Sequence, residues 1–111
     1  MQLLKYLKWV LGIAYFAQGD YPRAMNYQEQ HLRLARQLQD RGGEGRALGN
    51  LGLVYYGLKK YRLSAEYHQQ YLAIARELHD RAGEGQALSN LGDALLQSGN
   101  LLEAEQTLFI R

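Results

Sequence analysis

The stretch GGEGRALGNLG, residues 42 to 52, carries glycines at 43, 45, 49 and 52. Gly43-Glu44-Gly45 followed by Gly49 falls one residue off a G-x-G-x-x-G loop, whose backbone approaches a pyrophosphate held at a helix N-terminus. That chemistry needs a buried strand immediately upstream. The residues found there, HLRLARQLQD (31–40), instead place Leu32, Ala35 and Leu38 on one helical face. Other reactive side chains are scattered. His31, His68 and His79 have no second His or Cys three or four residues away, so no metal site is expected. Ser64, Ser89 and Ser98 lie in no nucleophile elbow. Glu29, Glu66, Glu77, Glu103 and Glu105 fit solvated helix faces. Nothing converges on a reaction, and the chain reads as a non-enzyme without cofactor.

The glycines recur. DRGGEGRALGNLG (40–52) and DRAGEGQALSNLG (80–92) agree at ten of thirteen positions, forty residues apart. Leu11-Gly12 and Tyr15 return as Leu51-Gly52 and Tyr55, then as Leu91-Gly92 and Leu95, and Tyr21 returns as Tyr61. The 111 residues, about one domain in length, therefore hold about two and three-quarter copies of one unit. Repeat 1 is expected over 1–40, repeat 2 over 41–80, and a truncated repeat 3 over 81–111. A phosphate cradle has no reason to reappear at this period. The glycines belong to packing.

Each unit reads as two helices. Asp40 and Asp80 fit N-caps, with Glu44 and Glu84 in the first turns behind them. The first helices are expected to end near Gly57 and Gln97, and the second helices to run from about Tyr21 to Leu38 and from about Tyr61 to Leu78. Asp20 and Asn100 fit caps in the connecting turns, and Pro22 fits a first helical turn. Gly12, Gly52 and Gly92 sit mid-helix, where each costs about 1 kcal/mol against Ala. They are expected where a side chain would push paired helices apart.

Thirteen basic and eleven acidic residues give a net charge of +2 with no basic run, which argues against nucleic acid. Cysteine is absent, excluding disulfides and thiolate sites and permitting a reducing compartment, so the cytoplasm is the expected location. Lys5 and Lys8 before WVLGIAYFA have the look of a signal peptide. However, cleavage after Ala17 would put Tyr15 where a small residue is needed, and the repeat register claims Leu11, Gly12 and Tyr15 as structural. The apolar run is too short to cross a membrane.

The residues resemble the tetratricopeptide repeat (TPR): a large apolar residue, Leu-Gly and Tyr in the first helix, then a small residue and an aromatic in the second. Repeat 2 supplies Leu48, Leu51, Gly52, Tyr55, Ser64 and Tyr67, and repeat 1 supplies Leu11, Gly12, Tyr15, Ala24 and Tyr27. Repeat 3 supplies Leu88, Leu91, Gly92, Leu95 and Ala104. The motif D-R-x-G-E-G-x-A-L-x-N-L-G resembles the long-repeat class of Pins/LGN-type adaptors and of bacterial, notably cyanobacterial, multi-repeat proteins. Tyr71 and His31 depart from the pattern, standing where a small residue is usual.

The resemblance implies an all-α, right-handed solenoid of antiparallel helix pairs, the TPR superhelix, whose concave face is lined by first helices and binds a protein partner. The register places Tyr6, Trp9, Val10, Ile13 and Phe16 on that face in repeat 1, and Arg46, Gly49, Asn50, Leu53 and Tyr56 in repeat 2. Repeat 3 adds Gln86, Ser89, Asn90, Asp93 and Gln97. Partner contact is expected from Arg46, Asn50, Tyr56, Gln86, Ser89, Asn90 and Asp93. The resemblance implies that Asn50 and Asn90 contact ligand peptide, since an amide can both donate to and accept from any backbone. Either could equally be solvated or bonded within the repeats. Arg46 could bind a carboxylate. With Gln86 in its place in repeat 3 and no inner-face lysine beside it, the clamp of chaperone-binding relatives is incomplete.

The first helix is apolar nearly all round, which predicts burial on more than one side. An upstream repeat, a ligand groove or self-association through Trp9, Val10, Ile13 and Phe16 would each provide it. LLEAEQTLFIR stops inside the last helix, with no polar cap after it. A homodimer or higher oligomer, by end stacking or helix exchange, is therefore expected. The alternative function is a structural segment of a longer array.

Overall fold

A computed structural model describes residues 2 to 109, without the side chains of Leu101, Leu108 and Phe109. Ile110 and Arg111, the end of the tail just discussed, lie outside the described residues. Six α-helices follow one another: α1 (Gln2–Ala17), α2 (Tyr21–Gln37), α3 (Arg41–Gly57), α4 (Tyr61–Glu77), α5 (Arg81–Gln97) and α6 (Leu101–Phe109). Among the described residues there is no strand.

Helices α2 to α5 each have 17 residues. A fixed connector separates them. Residues 19, 39, 59, 79 and 99 all take positive φ, between 54° and 86°. The next residue then donates its N–H to the carbonyl five back, as Asp40 does to Ala35 at 2.8 Å and Lys60 to Tyr55 at 2.9 Å. This closes the helix end in a Schellman motif. Glycine adopts the left-handed conformation freely at 19 and 99, whereas Gln39, Lys59 and His79 do so at a cost of about 1–2 kcal/mol each. The following helix is then capped. Asp40 and Asp80 accept from the N–H groups of Gly43 and Gly83, both at 2.9 Å. Asp20 accepts from Arg23 at 3.3 Å and Asn100 from Glu103 at 3.2 Å. Lys60 holds the cap position of α4 without a side-chain bond.

Consecutive helices pack as antiparallel neighbours, and α3 also touches α1 and α5 directly, so the first helices line one side of the solenoid. Its extents are 42 × 31 × 17 Å. Leu48, Leu51, Leu72, Ile74, Leu88 and Leu91 are buried in one continuous core. The repeat motif acts through that packing. A Cβ on Gly52 would lie 2.7 Å from Cε1 of His68, and one on Gly12 would lie 2.8 Å from Cδ of Gln28. Ser64 donates its hydroxyl to the Gly52 carbonyl at 2.7 Å. The motif aromatics stack across the first two hairpins, Tyr15 on Tyr27 at 5.6 Å and Tyr55 on Tyr67 at 5.2 Å.

Two acidic residues expected to be merely solvated are paired. Glu77 binds Arg41 at 2.9 Å, and Glu103 lies 3.4 Å from Arg62. Arg41 also reaches Glu44, which binds Arg36 at 3.0 Å, so these charges join into a strip linking α2, α3 and α4. Exposed pairs of this kind contribute little individually, about 0–1 kcal/mol.

Candidate functional site

The glycines of α3 make room for a ring. A Cβ on Gly49 would lie 2.7 Å from Cδ2 of Tyr71, and one on Gly45 would lie 3.2 Å from Cδ1. Tyr71 of α4 therefore lies across the bare stretch of α3, with its hydroxyl 2.9 Å from where a Cβ on Gly83 of α5 would stand. Burial, and then the charge of Asp80, push its phenol above the usual pKa. Forty residues earlier the arrangement is reversed. Lys5 and Trp9 occupy the glycine positions on the first helix, and a smaller ring, His31, occupies the tyrosine position. The departure from the motif is thus a trade of bulk between paired helices.

That trade shapes a hollow of about 200 Å³ on the first-helix side. Trp9 and Ile13 of α1 form one wall, and the buried Tyr71 contributes to the lining beside Gly49. The rest is polar: Arg46 and Asn50 of α3, then Gln86 and Asn90 of α5, with Leu53 beneath. The guanidinium of Arg46 is in no ion pair among the described residues, and Arg46 is exposed. Asn50 is half-buried and partly committed. Its Nδ2 donates to Oε1 of Gln28 at 3.4 Å, and Gln28 in turn donates to the Trp9 carbonyl at 3.5 Å. This clasp ties α1, α2 and α3 together and leaves the Asn50 carbonyl able to accept. Asn90 occupies the same place one unit on, facing His68 in the register where Asn50 faces Gln28. Among the described residues its side chain has no hydrogen-bond partner.

The remaining candidates are less closely gathered. Ser89 and Asp93 are exposed on α5, outside the lining of this hollow. Tyr56 packs edge-on against Tyr61, with centroids 5.1 Å apart. Phe16 leans on Tyr21 at 5.7 Å and borders a gap of about 20 Å³ beside Gly12 and Gln28. Val10 is exposed and lines neither space.

A lysine does stand near Arg46, contrary to the sequence reading. Lys5 shares a second hollow, about 420 Å³, with Tyr6, Trp9, His31 and Arg46. Its ammonium is engaged by Asp40, whose carboxyl is held below the usual range by that bond and by the Gly43 N–H. The same setting acts on His31. Burial, then the charges of Arg46 and Lys5, lower its pKa to about 4, so it is neutral at neutral pH. Gln28, Tyr71 and Lys5 were missed as site-building residues. The register held a signal for two of them, since Tyr71 stands opposite Gly45 and Gly49, and Gln28 opposite Gly12.

The amides can donate and accept, the arginine can donate to an acceptor, and the rings offer apolar contact. The repeat profile of the tetratricopeptide repeat matches residues 6–77 and, one unit on, 43–108. The chain belongs to the tetratricopeptide repeat family. Such repeats form a scaffold for protein–protein interaction, typically without catalysis, and the family implies protein partners. The TPR domain of Arabidopsis FLU is similar at a TM-score of 0.91, covering 96% of this chain and 90% of that one at 24% identity. BtubC (BKLC) from P. vanneervenii is similar at 0.85 and 24% identity over 93% of this chain. This chain spans only 43% of BtubC. At such identities the likeness is one of fold. No curated protein matches the chain significantly. No described helix of this TPR chain is long and apolar enough to cross a membrane.

Proposed function

We propose that this TPR chain binds a short, extended segment of a partner protein along the face formed by α1, α3 and α5, acting as a scaffold or regulator. The reading is supported above all by the hollow that gathers Trp9, Arg46, Asn50, Gln86 and Asn90 from three separate helices. An extended backbone offers one donor and one acceptor per residue. The Asn50 carbonyl can take an N–H, and the Asn90 amide can both give and take. Arg46 supplies a charge-assisted bond to a carboxylate, either an acidic side chain or a chain terminus. Trp9, Ile13 and the edge of Tyr71 take an apolar side chain. Ser89, Asp93 and Tyr56 extend the face beyond the hollow. The forty-residue unit supports kinship with the long-repeat adaptors.

Trp9 is the single tryptophan, so its emission reports directly on the hollow. Peptides selected on the purified chain from a random library should shift that emission with roughly micromolar affinity. Asn50→Ala/Asn90→Ala should weaken them by about tenfold or more, equivalent to about 1.4 kcal/mol. Asn50→Ala also removes the bond to Gln28 and lowers the melting temperature somewhat. Asn90→Ala, which breaks no bond among the described residues, should weaken binding with the melting temperature unchanged. Unchanged affinity in that double variant would remove the asparagine ladder. Selected peptides that leave Trp9 emission unmoved would place binding elsewhere.

A further inference from the structure

The second hollow, of about 420 Å³, is lined by Gln2, Lys5, Tyr6 and Trp9 of α1, His31 of α2 and Arg46 of α3. His31 is only 2% exposed, and its Nδ1 is buried without a hydrogen-bond partner among the described residues. A buried polar atom left unpaired costs stability, which packing alone gives no reason to accept. The surroundings also oppose a positive ring. The charges of Lys5 from α1 and Arg46 from α3 both act on it. Asp40, the carboxylate that acts the other way, is engaged by Lys5 and by the Gly43 N–H. Tyr6 and Trp9, with ring centroids 5.5 Å apart, add aromatic surface to the lining.

The repeat does not require this chemistry. One unit on, Gly45, Tyr71 and Gln86 stand in place of Lys5, His31 and Arg46. There Asp80 caps its helix and is in no ion pair among the described residues. The positive charge gathered at the first junction is therefore available to a ligand. Arg46 is exposed and in no ion pair, so its guanidinium can hold a carboxylate by two parallel bonds. The Lys5 ammonium keeps two protons beyond the one given to Asp40, and the Gln2 amide can donate as well. An anion seated here would offset the two charges that, with burial, keep His31 neutral. The ring would then take a proton from solvent.

We propose that this hollow is a carboxylate site in which entry of the anion is coupled to uptake of a proton by His31. The site goes beyond the peptide reading, since it uses neither Asn50 nor Asn90. It is tested by following the His31 ring by NMR against pH, with benzoate as probe and benzamide as its uncharged counterpart. Saturating benzoate should raise the His31 midpoint by about one to two pH units, and benzamide should leave it in place. By linkage, benzoate should bind about two- to tenfold more tightly at pH 5 than at pH 7. Arg46→Gln, which installs the residue of the next unit, should raise the midpoint by itself and abolish the response to benzoate, with helical circular dichroism unchanged. A midpoint unmoved by benzoate, moved equally by benzamide, or still moved by benzoate in Arg46→Gln overturns the proposal. Library-selected peptides separate the sources of the anion. A midpoint raised by acidic peptides assigns the carboxylate to a partner chain, and one raised by benzoate alone assigns it to a small molecule. A chain that answers benzoate yet selects no peptide keeps this site and overturns only the peptide reading.

Discussion

The two junctions of the solenoid solve one packing problem with different chemistry. Where α1, α2 and α3 meet, bulk sits on the first helix as Trp9, and amides clasp the three helices through Gln28. Where α3, α4 and α5 meet, the first helix is stripped to Gly45 and Gly49, and bulk comes from the second helix as Tyr71. Gln28 and His68 occupy equivalent places over Gly12 and Gly52, yet only Gln28 is hydrogen-bonded. Both ring nitrogens of His68 are buried without a partner among the described residues. At this position the first junction is held by amide bonds and the second by the shape of a ring, with the Ser64 hydroxyl bonding the Gly52 carbonyl beside it. The hollow of about 200 Å³ lies between them, lined by the tryptophan of one and the tyrosine of the other.

The largest effect that would expose this asymmetry is a lost ring. Tyr71→Ala should cost about 3–5 kcal/mol in chemical denaturation, since the glycine-lined gap cannot close over it. His31→Ala, at the equivalent position, should cost no more than about 2 kcal/mol, because Trp9 keeps that junction filled. Equal costs would show that bulk has not been traded.

Acid gives the next. Burial lowers His68 from 6.5 to about 4, and burial with Arg46 and Lys5 does the same to His31. The unfolded chain therefore takes up protons first. Stability should be full above about pH 6.5 and fall progressively towards pH 4, by roughly 3 kcal/mol per histidine at most. His68→Gln, which installs the side chain of the first junction in the second, should remove about half of that loss in a denaturation series against pH. A pH profile identical to wild type would show that His68 is not held neutral by its packing.

A smaller contrast separates the helix glycines. Gly52→Ala drives a Cβ into a buried ring and should destabilise by about 1–2 kcal/mol, after about 1 kcal/mol regained in helix propensity. Gly12→Ala meets a flexible Gln28 side chain that can swing aside, so its melting temperature should change less. The reverse order would mean that the clasp is stiffer than the ring.

The repeat made much of this legible. Gly12 and Gly52, the aspartate caps and the stacked tyrosines follow from residues spaced at forty, because local bonding and tight helix contact depend on nearby sequence. The left-handed residues Gln39, Lys59 and His79 were hidden, since their side chains give no sign of a conformation usually marked by glycine. Also hidden were the Gln28 clasp and the Lys5 pairing with Asp40, which join residues 22 and 35 positions apart. Such links depend on how units rotate against each other. Tyr71 was visible as a departure from the motif, but its meaning needed the glycines opposite it in space.

The most direct measurement is amide and indole NMR of the labelled chain titrated with a selected peptide. The Trp9 indole and the side-chain amides of Asn50, Gln86 and Asn90 should move together, saturating at one concentration. Shifts gathered instead on the outer faces of α2 and α4, with those four groups still, would contradict a groove on the first-helix side.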